Sequence, residues 1–183
     1  MRICIVGCGA VGSLFAANLA TLDDAEVWAF DLFQAHVDAI NSDGLRLSGA
    51  GDVHARLQAT SDPAALPPCD FGIVATKAMH ADSAIAATAH AFADGAVASV
   101  MNGVGNEETI ARHVPRVIRG TTFPAGKLLE PGHVQWDVKG DTTFSPFEPA
   151  PASAAEVAAL ADACTRGGLP SEAVADARPA QWR

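Results

Sequence analysis

The strongest constraint on this chain lies in its opening residues. The apolar run Arg2-Ile3-Cys4-Ile5-Val6 leads directly into Gly7-Cys8-Gly9-Ala10-Val11-Gly12, and a helix-forming stretch follows from Ser13 to Leu22. A G-x-G-x-x-G turn with a strand before it and a helix after it is the dinucleotide-binding fingerprint in its working context. Gly7 permits the tight strand-to-helix turn, Gly9 lets the backbone approach a pyrophosphate, and Gly12 lets the helix lie close to the strand. The helix then points its positive end at the phosphates. The competing reading, a plain glycine turn of an α/β protein, leaves the joint presence of strand and helix unexplained.

Strand and helix patterns alternate through the rest of the chain. Strands are expected at Ile3–Val6, Glu26–Phe30, Asp70–Thr76, Ala96–Met101 and Arg116–Gly120, and helices at Ala10–Leu22, Gln34–Asn41, Ala81–Ala93 and Asn106–His113. Alternation of Leu45, Leu47, Val53, Ala55 and Leu57 around Gly49-Ala50-Gly51 suggests a hairpin. From Thr121 to Phe147 the pattern turns β-like, with Pro131-Gly132 as a turn between Ala125–Leu129 and His133–Val138. Ser153 caps a helix over Ala154–Arg166, with Glu156 placed for a capping box, and a short segment Pro170–Val174 follows. Apolar strands alternating with helices specify an α/β fold: a doubly wound, mostly parallel Rossmann-type sheet with a β-rich C-terminal part. Residues 1–174 are expected to form this dinucleotide-binding domain. The tryptophan at Gln181-Trp182-Arg183 suggests a chain cut inside an element, so 175–183 are expected to begin a second domain.

A net charge of −9 supplies no electrostatic footprint for nucleic acid or an anionic membrane. No apolar stretch approaches the roughly 18 residues of a membrane span, and no signal peptide precedes Gly7. The four cysteines, Cys4, Cys8, Cys69 and Cys164, form no C-x-x-C pair and read as reduced structural thiols. A cytoplasmic protein with no membrane or nucleic-acid partner is therefore expected. The six histidines, His36, His54, His80, His90, His113 and His133, show no metal-ligand spacing and read as surface or helix-capping residues. No metal site is expected.

Three further residues could act with the glycine turn. Asp31 follows the second strand, about 20 residues beyond the turn, where a carboxylate can accept from the adenine ribose hydroxyls. It would repel a 2′-phosphate, and Leu32, Phe33 and Gln34 bring no compensating cation, which favours NAD(H). A solvated helix cap is the competing reading. Lys77 and Asn102 each follow a buried strand, and ligands of open α/β sheets bind beyond such strand ends. Lysine offers a point charge with three donors, and asparagine both donates and accepts. Taken singly, they read equally as a surface lysine and a turn former before Gly103.

The order of three signatures resembles the ketopantoate reductase (2-dehydropantoate 2-reductase) family over essentially the whole chain. They are Ile5-Val6-Gly7-Cys8-Gly9-Ala10-Val11-Gly12-Ser13, then Val74-Ala75-Thr76-Lys77-Ala78, then Met101-Asn102-Gly103-Val104-Gly105-Asn106-Glu107-Glu108. Supporting segments are His36-Val37-Asp38-Ala39-Ile40 with Gly44-Leu45, Gly120-Thr121-Thr122, and Pro131-Gly132-His133-Val134. The resemblance implies a Rossmann domain followed by a helical domain, with the active site between them. It implies NADPH-dependent reduction of a 2-oxo acid to a 2-hydroxy acid; in the namesake, ketopantoate becomes pantoate on the route to pantothenate and coenzyme A. Gly7 to Gly12, Lys77, Asn102 and the backbone near Gly126 are implied cofactor contacts, and Asn102 an implied substrate contact.

Two departures qualify the resemblance. The family usually carries a basic residue near the end of strand two, where this chain has Asp31, so NADP(H) by resemblance stands against NAD(H) by chemistry. Ala180-Gln181-Trp182-Arg183 resembles the start of the segment leading to the family's proton-donor lysine, expected just after Arg183, so the family's following helical domain is missing and no catalytic residue is expected in this chain. Lys77 is the one internal candidate for support. An interface shaped for a helical domain would be exposed and would favour association, as a homodimer or as aggregates. The alternatives are a related dehydrogenase acting on another oxo acid or an imine, and a nucleotide-binding module without catalysis.

Overall fold

The computed structural model describes residues 1–182, without the side chains of Gln181 and Trp182. Arg183, and the lysine expected after it, lie outside the described residues. The chain runs β1 (Arg2–Val6), α1 (Ala10–Leu19), β2 (Glu26–Phe30), α2 (Gln34–Asp43), β3 (Leu45–Gly49), β4 (Val53–Ala55), β5 (Gln58–Thr60), β6 (Phe71–Val74), α3 (Ala78–Thr88), β7 (Ala96–Ser99), α4 (Asn106–Ile110), β8 (Val117–Thr122), β9 (Ala125–Glu130), β10 (His133–Val138), β11 (Thr142–Pro146), α5 (Ala154–Arg166) and β12 (Ser171–Ala173).

Eight strands form the main sheet in the order β12-β11-β8-β7-β6-β1-β2-β5. The six from β8 to β5 are parallel, while β11 runs antiparallel to β8 and pairs in parallel with β12. Both faces are buried. Ile3 and Ile5 of β1 join Leu14 and Phe15 of α1 and Val157 and Leu160 of α5 on one face. Cys4 and Val6 join Ile85 of α3, Phe92, Val97 and Ile110 of α4 on the other. Continuous apolar strands are the sequence cost of a sheet covered on both sides, and each large side chain so buried contributes about 1.5–3 kcal/mol.

A second, four-stranded sheet, β4-β3-β10-β9, is where the structure departs from the sequence expectation. The hairpin at Gly49–Gly51 forms as β3 and β4, but β3 also pairs in parallel with β10, so the β-rich part draws strands from both halves of the chain. Leu57 lies outside the hairpin, and the next residues form β5 beside β2. This sheet packs on α1, which contacts β3, β4, β9 and β10 as well as the main sheet. Enclosure on both sides explains why α1 is apolar almost all round, with every residue from Gly12 to Leu19 buried.

Helix bounds shift where capping signals are poor. α1 ends at Leu19 and continues only as turns to Leu22. α3 begins at Ala78, ahead of the expected Ala81, because extended Lys77 (φ −68°, ψ 142°) serves as its N-cap without a side-chain bond. α5 keeps its expected bounds. Ser153 Oγ accepts from Glu156 N–H at 3.2 Å, and Ser153 N–H donates to Glu156 Oε2 at 2.8 Å, completing the capping box.

Candidate dinucleotide-binding crevice

The order β6-β1-β2 places successive connections on opposite sides of β1, which makes the carboxyl end of β1 a topological switch point. The turn after β1, Asp31 after β2, Lys77 after β6 and Asn102 after β7 all lie at this edge of the sheet.

The glycines divide the work as their surroundings require. Gly7 has φ +90°, a left-handed conformation suited to glycine, and its N–H donates to Phe30 O at 2.8 Å. A Cβ on Gly12 would lie 2.0 Å from Gly7 O, so the helix and the turn touch backbone to backbone. Gly9 differs. It is exposed and extended (φ −70°, ψ −156°), and a Cβ there would meet nothing within 4 Å. No neighbouring atom of the described structure requires a glycine at this position. Ala10 and Val11, half-buried, open the first turn of α1, whose N–H groups have no acceptor within the helix. A space that a Cβ would fill, facing a helix N-terminus, fits a dinucleotide pyrophosphate.

Asp31 is bound into this turn. Its Oδ2 accepts from Cys8 N–H at 2.7 Å, and its Oδ1 accepts from Phe33 N–H at 2.8 Å. Each oxygen keeps acceptor capacity for a hydroxyl. Cys8 is fully buried, and burial pushes its thiol up to about 12, so it is a packed, protonated group and not a nucleophile. The other three cysteines are also free and buried.

Lys77 and Asn102 are both exposed at the ends of adjacent strands. The two loops meet where Thr76 Oγ1 donates to Met101 Sδ at 3.4 Å. Asn102 O accepts from Asn106 Nδ2 at 3.1 Å, which ties its loop to the start of α4. Gly126 lies in β9, half-buried against α1. A Cβ on it would lie 2.7 Å from Gln135 O and 3.6 Å from Leu14 Cδ1. Strand pairing therefore already demands that glycine.

Sequence reasoning missed two sets of residues. Leu32, Phe33, Met79 and Val104, exposed apolar residues in the segments after β2, β6 and β7, rim the crevice, with Met79 at 80% and Val104 at 82% exposure. An apolar residue one or two positions after Asp31, Lys77 and Asn102 was the available signal. The second set corrects the expectation for His36, which is 1% exposed and not a surface residue. Its Nδ1 accepts from Gly132 N–H at 2.9 Å, and its Nε2 faces Ser13 Oγ at 3.4 Å. Burial lowers its pKa, against a smaller opposing pull from Asp31. Among the described residues no group of three or more His, Cys, Asp and Glu could hold a metal ion, and no helix is long and apolar enough to cross a membrane.

Comparison with known proteins bears on family and fold. The family model described as ketopantoate reductase PanE/ApbA matches residues 3–149. A 2-dehydropantoate 2-reductase of Pyrococcus abyssi is 34% identical over 143 residues, covering 78% of this chain and 46% of the relative. The crystal structure of a PanE/ApbA family ketopantoate reductase from Ralstonia eutropha JMP134 superposes with a TM-score of 0.86 at 30% identity, over 100% of this chain and 59% of that one. A ternary structure of D-mandelate dehydrogenase with NADH and anilino(oxo)acetate gives 0.82 at 28% identity, over 95% and 57%. The chain thus spans about half to three fifths of the length of the proteins it matches.

Proposed function

Because the chain belongs to the ketopantoate reductase family, we propose that it forms the cofactor-binding part of an NAD(P)H-dependent reductase converting a 2-oxo acid to a 2-hydroxy acid, ketopantoate to pantoate first among candidates. In this reading residues 1–174 are the cofactor domain and 175–183 lead into the substrate domain. When bound, the dinucleotide supplies the hydride. The chain's own residues bind and orient it. Gly7, Cys8, Gly9, Ala10, Val11 and Gly12 form the turn that faces the pyrophosphate, with the first-turn N–H groups of α1 as its donors while those of Gly7 and Cys8 stay on Phe30 O and Asp31. Asp31 accepts from the adenine ribose, and Lys77 donates to a ribose oxygen or a carboxylate. Asn102 would contact the cofactor and the oxo acid, and Gly126 would contribute backbone. The reaction also needs a proton donor for the forming hydroxyl and a cation against the developing alkoxide. A cytoplasmic homodimer acting on a small oxo acid completes the reading.

The observation that carries this reading is the open space at Gly9 beside a carboxylate anchored to the same turn. Asp31 also favours NADH, since a carboxylate at this place opposes a 2′-phosphate, and the D-mandelate dehydrogenase neighbour holds NADH. Calorimetric titration with NADH and NADPH side by side tests both parts. NADH should bind about tenfold or more tightly, the equivalent of about 1.4 kcal/mol. Tighter NADPH binding overturns the preference, and binding of neither overturns the cofactor reading.

A further inference from the structure

Cys8 is held through both of its flanking peptide groups. Its N–H donates to Asp31, and its carbonyl accepts from Ser13 Oγ–H at 3.0 Å. Ser13 is completely buried in α1, where its hydroxyl also faces His36 Nε2 at 3.4 Å and Cys8 Sγ at 3.5 Å. Because His36 Nδ1 accepts from Gly132 N–H, the proton of the neutral ring must sit on Nε2. The chain of bonds then has one consistent direction, from Gly132 N–H to His36, from His36 to Ser13, and from Ser13 to the Cys8 carbonyl. Phe33 closes the outer side, its ring stacked on His36 at 6.3 Å and 9° and its N–H held by Asp31. The relay joins the turn of the second sheet, where Gly132 has φ +77° and approaches Ala39, to the phosphate-facing turn of the first.

We propose that Ser13 and His36 are positioning residues for the dinucleotide: through the Cys8 carbonyl they fix the peptide plane from which the turn presents its N–H groups to the pyrophosphate. Rotation of that plane would aim a carbonyl oxygen, not a donor, toward the phosphates. The proposal rests on the dinucleotide reading above. It adds that the second sheet supports the site at a distance, by holding the tautomer of one buried histidine.

The competing account is that the relay only satisfies buried polar atoms. Paired substitutions separate the two. His36→Asn keeps an acceptor near the Nδ1 place for Gly132 but cannot reach Ser13, whereas His36→Gln reaches Ser13 with an amide N–H. Ser13→Ala removes the bond to Cys8 directly. NADH titration and thermal melting on each variant are the measurements. Ser13→Ala and His36→Asn should weaken NADH about tenfold, the worth of one buried hydrogen bond, and His36→Gln should restore affinity toward that of the unsubstituted chain even where its melting temperature is lower. Affinity that merely follows melting temperature across the three variants, or NADH binding unchanged in Ser13→Ala and His36→Asn, overturns the proposal alone. Failure of the unsubstituted chain to bind NADH or NADPH overturns the dinucleotide reading and this proposal with it.

Discussion

Gly9→Ala separates what the fold needs from what the ligand needs. The new Cβ would meet no protein atom within 4 Å, so it introduces no clash. Gly9 already has an extended backbone that alanine adopts freely. Alanine is a poorer N-cap than glycine, by a few tenths to about 1 kcal/mol, and stiffening the unfolded chain returns about 0.4–1 kcal/mol. The net change in stability should stay within about 0.5 kcal/mol, a melting shift of about 2 °C or less for a chain of this size. Binding should respond quite differently. The methyl group occupies the space through which the pyrophosphate reaches the first turn of α1. One charge-assisted hydrogen bond, about 1.5–3 kcal/mol, and part of the helix-dipole attraction, about 0.3–1 kcal/mol, are lost together. The sum, about 2–4 kcal/mol, is about a 30- to 1,000-fold rise in Kd. Differential scanning calorimetry and isothermal titration on the same preparation read both numbers. NADH affinity retained within threefold or so, at unchanged melting temperature, would refute the reasoning, because the open space would then serve neither fold nor ligand.

Gly12→Ala should do the opposite. Its Cβ would lie 2.0 Å from Gly7 O, a backbone atom fixed by β1, so destabilisation should exceed the about 1–3 kcal/mol of ordinary overpacking; a urea midpoint equal to that of the unsubstituted chain would contradict the packing. Stability should also decline at both ends of the pH scale. Burial lowers the His36 pKa below 6.5, so the unfolded chain takes up its proton first and stability falls as pH drops through that value. Burial raises the Cys8 and Cys164 thiols from 9.0 to about 12, so the unfolded thiols ionise first and stability falls as pH rises above 9. Urea midpoints across pH should show a plateau between these limits, with a flatter acid side in His36→Asn, and a midpoint indifferent to pH below 6 would contradict the buried neutral histidine.

What was legible in the sequence shares one property: it is local. The glycine turn, the strand that ends at Asp31, and the Ser153–Glu156 box each lie within a few residues of their partners or at a spacing fixed by one βα unit. What was not legible depends on distant pairing. β5 has three residues and no pattern of its own, and only its place beside β2 makes it a strand. β3 looked complete as half of a hairpin, and its pairing with β10, Arg46 opposite His133, joins segments far apart in the chain. The same pairing hides His36. α2 is polar along most of its length, with Gln34, Asp38, Asn41, Ser42 and Asp43, so a histidine there reads as solvated. The turn at Gly132 buries it, and that turn reaches α2 only because β10 lies against β3.

Asp31 shows why the cofactor question must be asked as a ratio. Its carboxylate already serves the fold, since each oxygen accepts a backbone N–H, from Cys8 and from Phe33. Asp31→Asn leaves one acceptor oxygen and puts an NH₂ group against an N–H donor, so the turn itself is disturbed. Loss of NADH affinity in that variant would therefore prove nothing about ribose recognition, because a misplaced turn weakens any dinucleotide. The disturbance acts on the pyrophosphate, which NADH and NADPH share, so it cancels in the ratio of their dissociation constants. What survives in the ratio is the 2′ substituent. Removing a negative charge near a phosphate, at about 4 kcal/mol for two unit charges about 4 Å apart near a protein surface, should move the ratio toward NADPH by at least about tenfold, even as both affinities fall. Parallel losses with a constant ratio, measured by paired titrations, would assign Asp31 to the turn alone and remove the physical case for NADH.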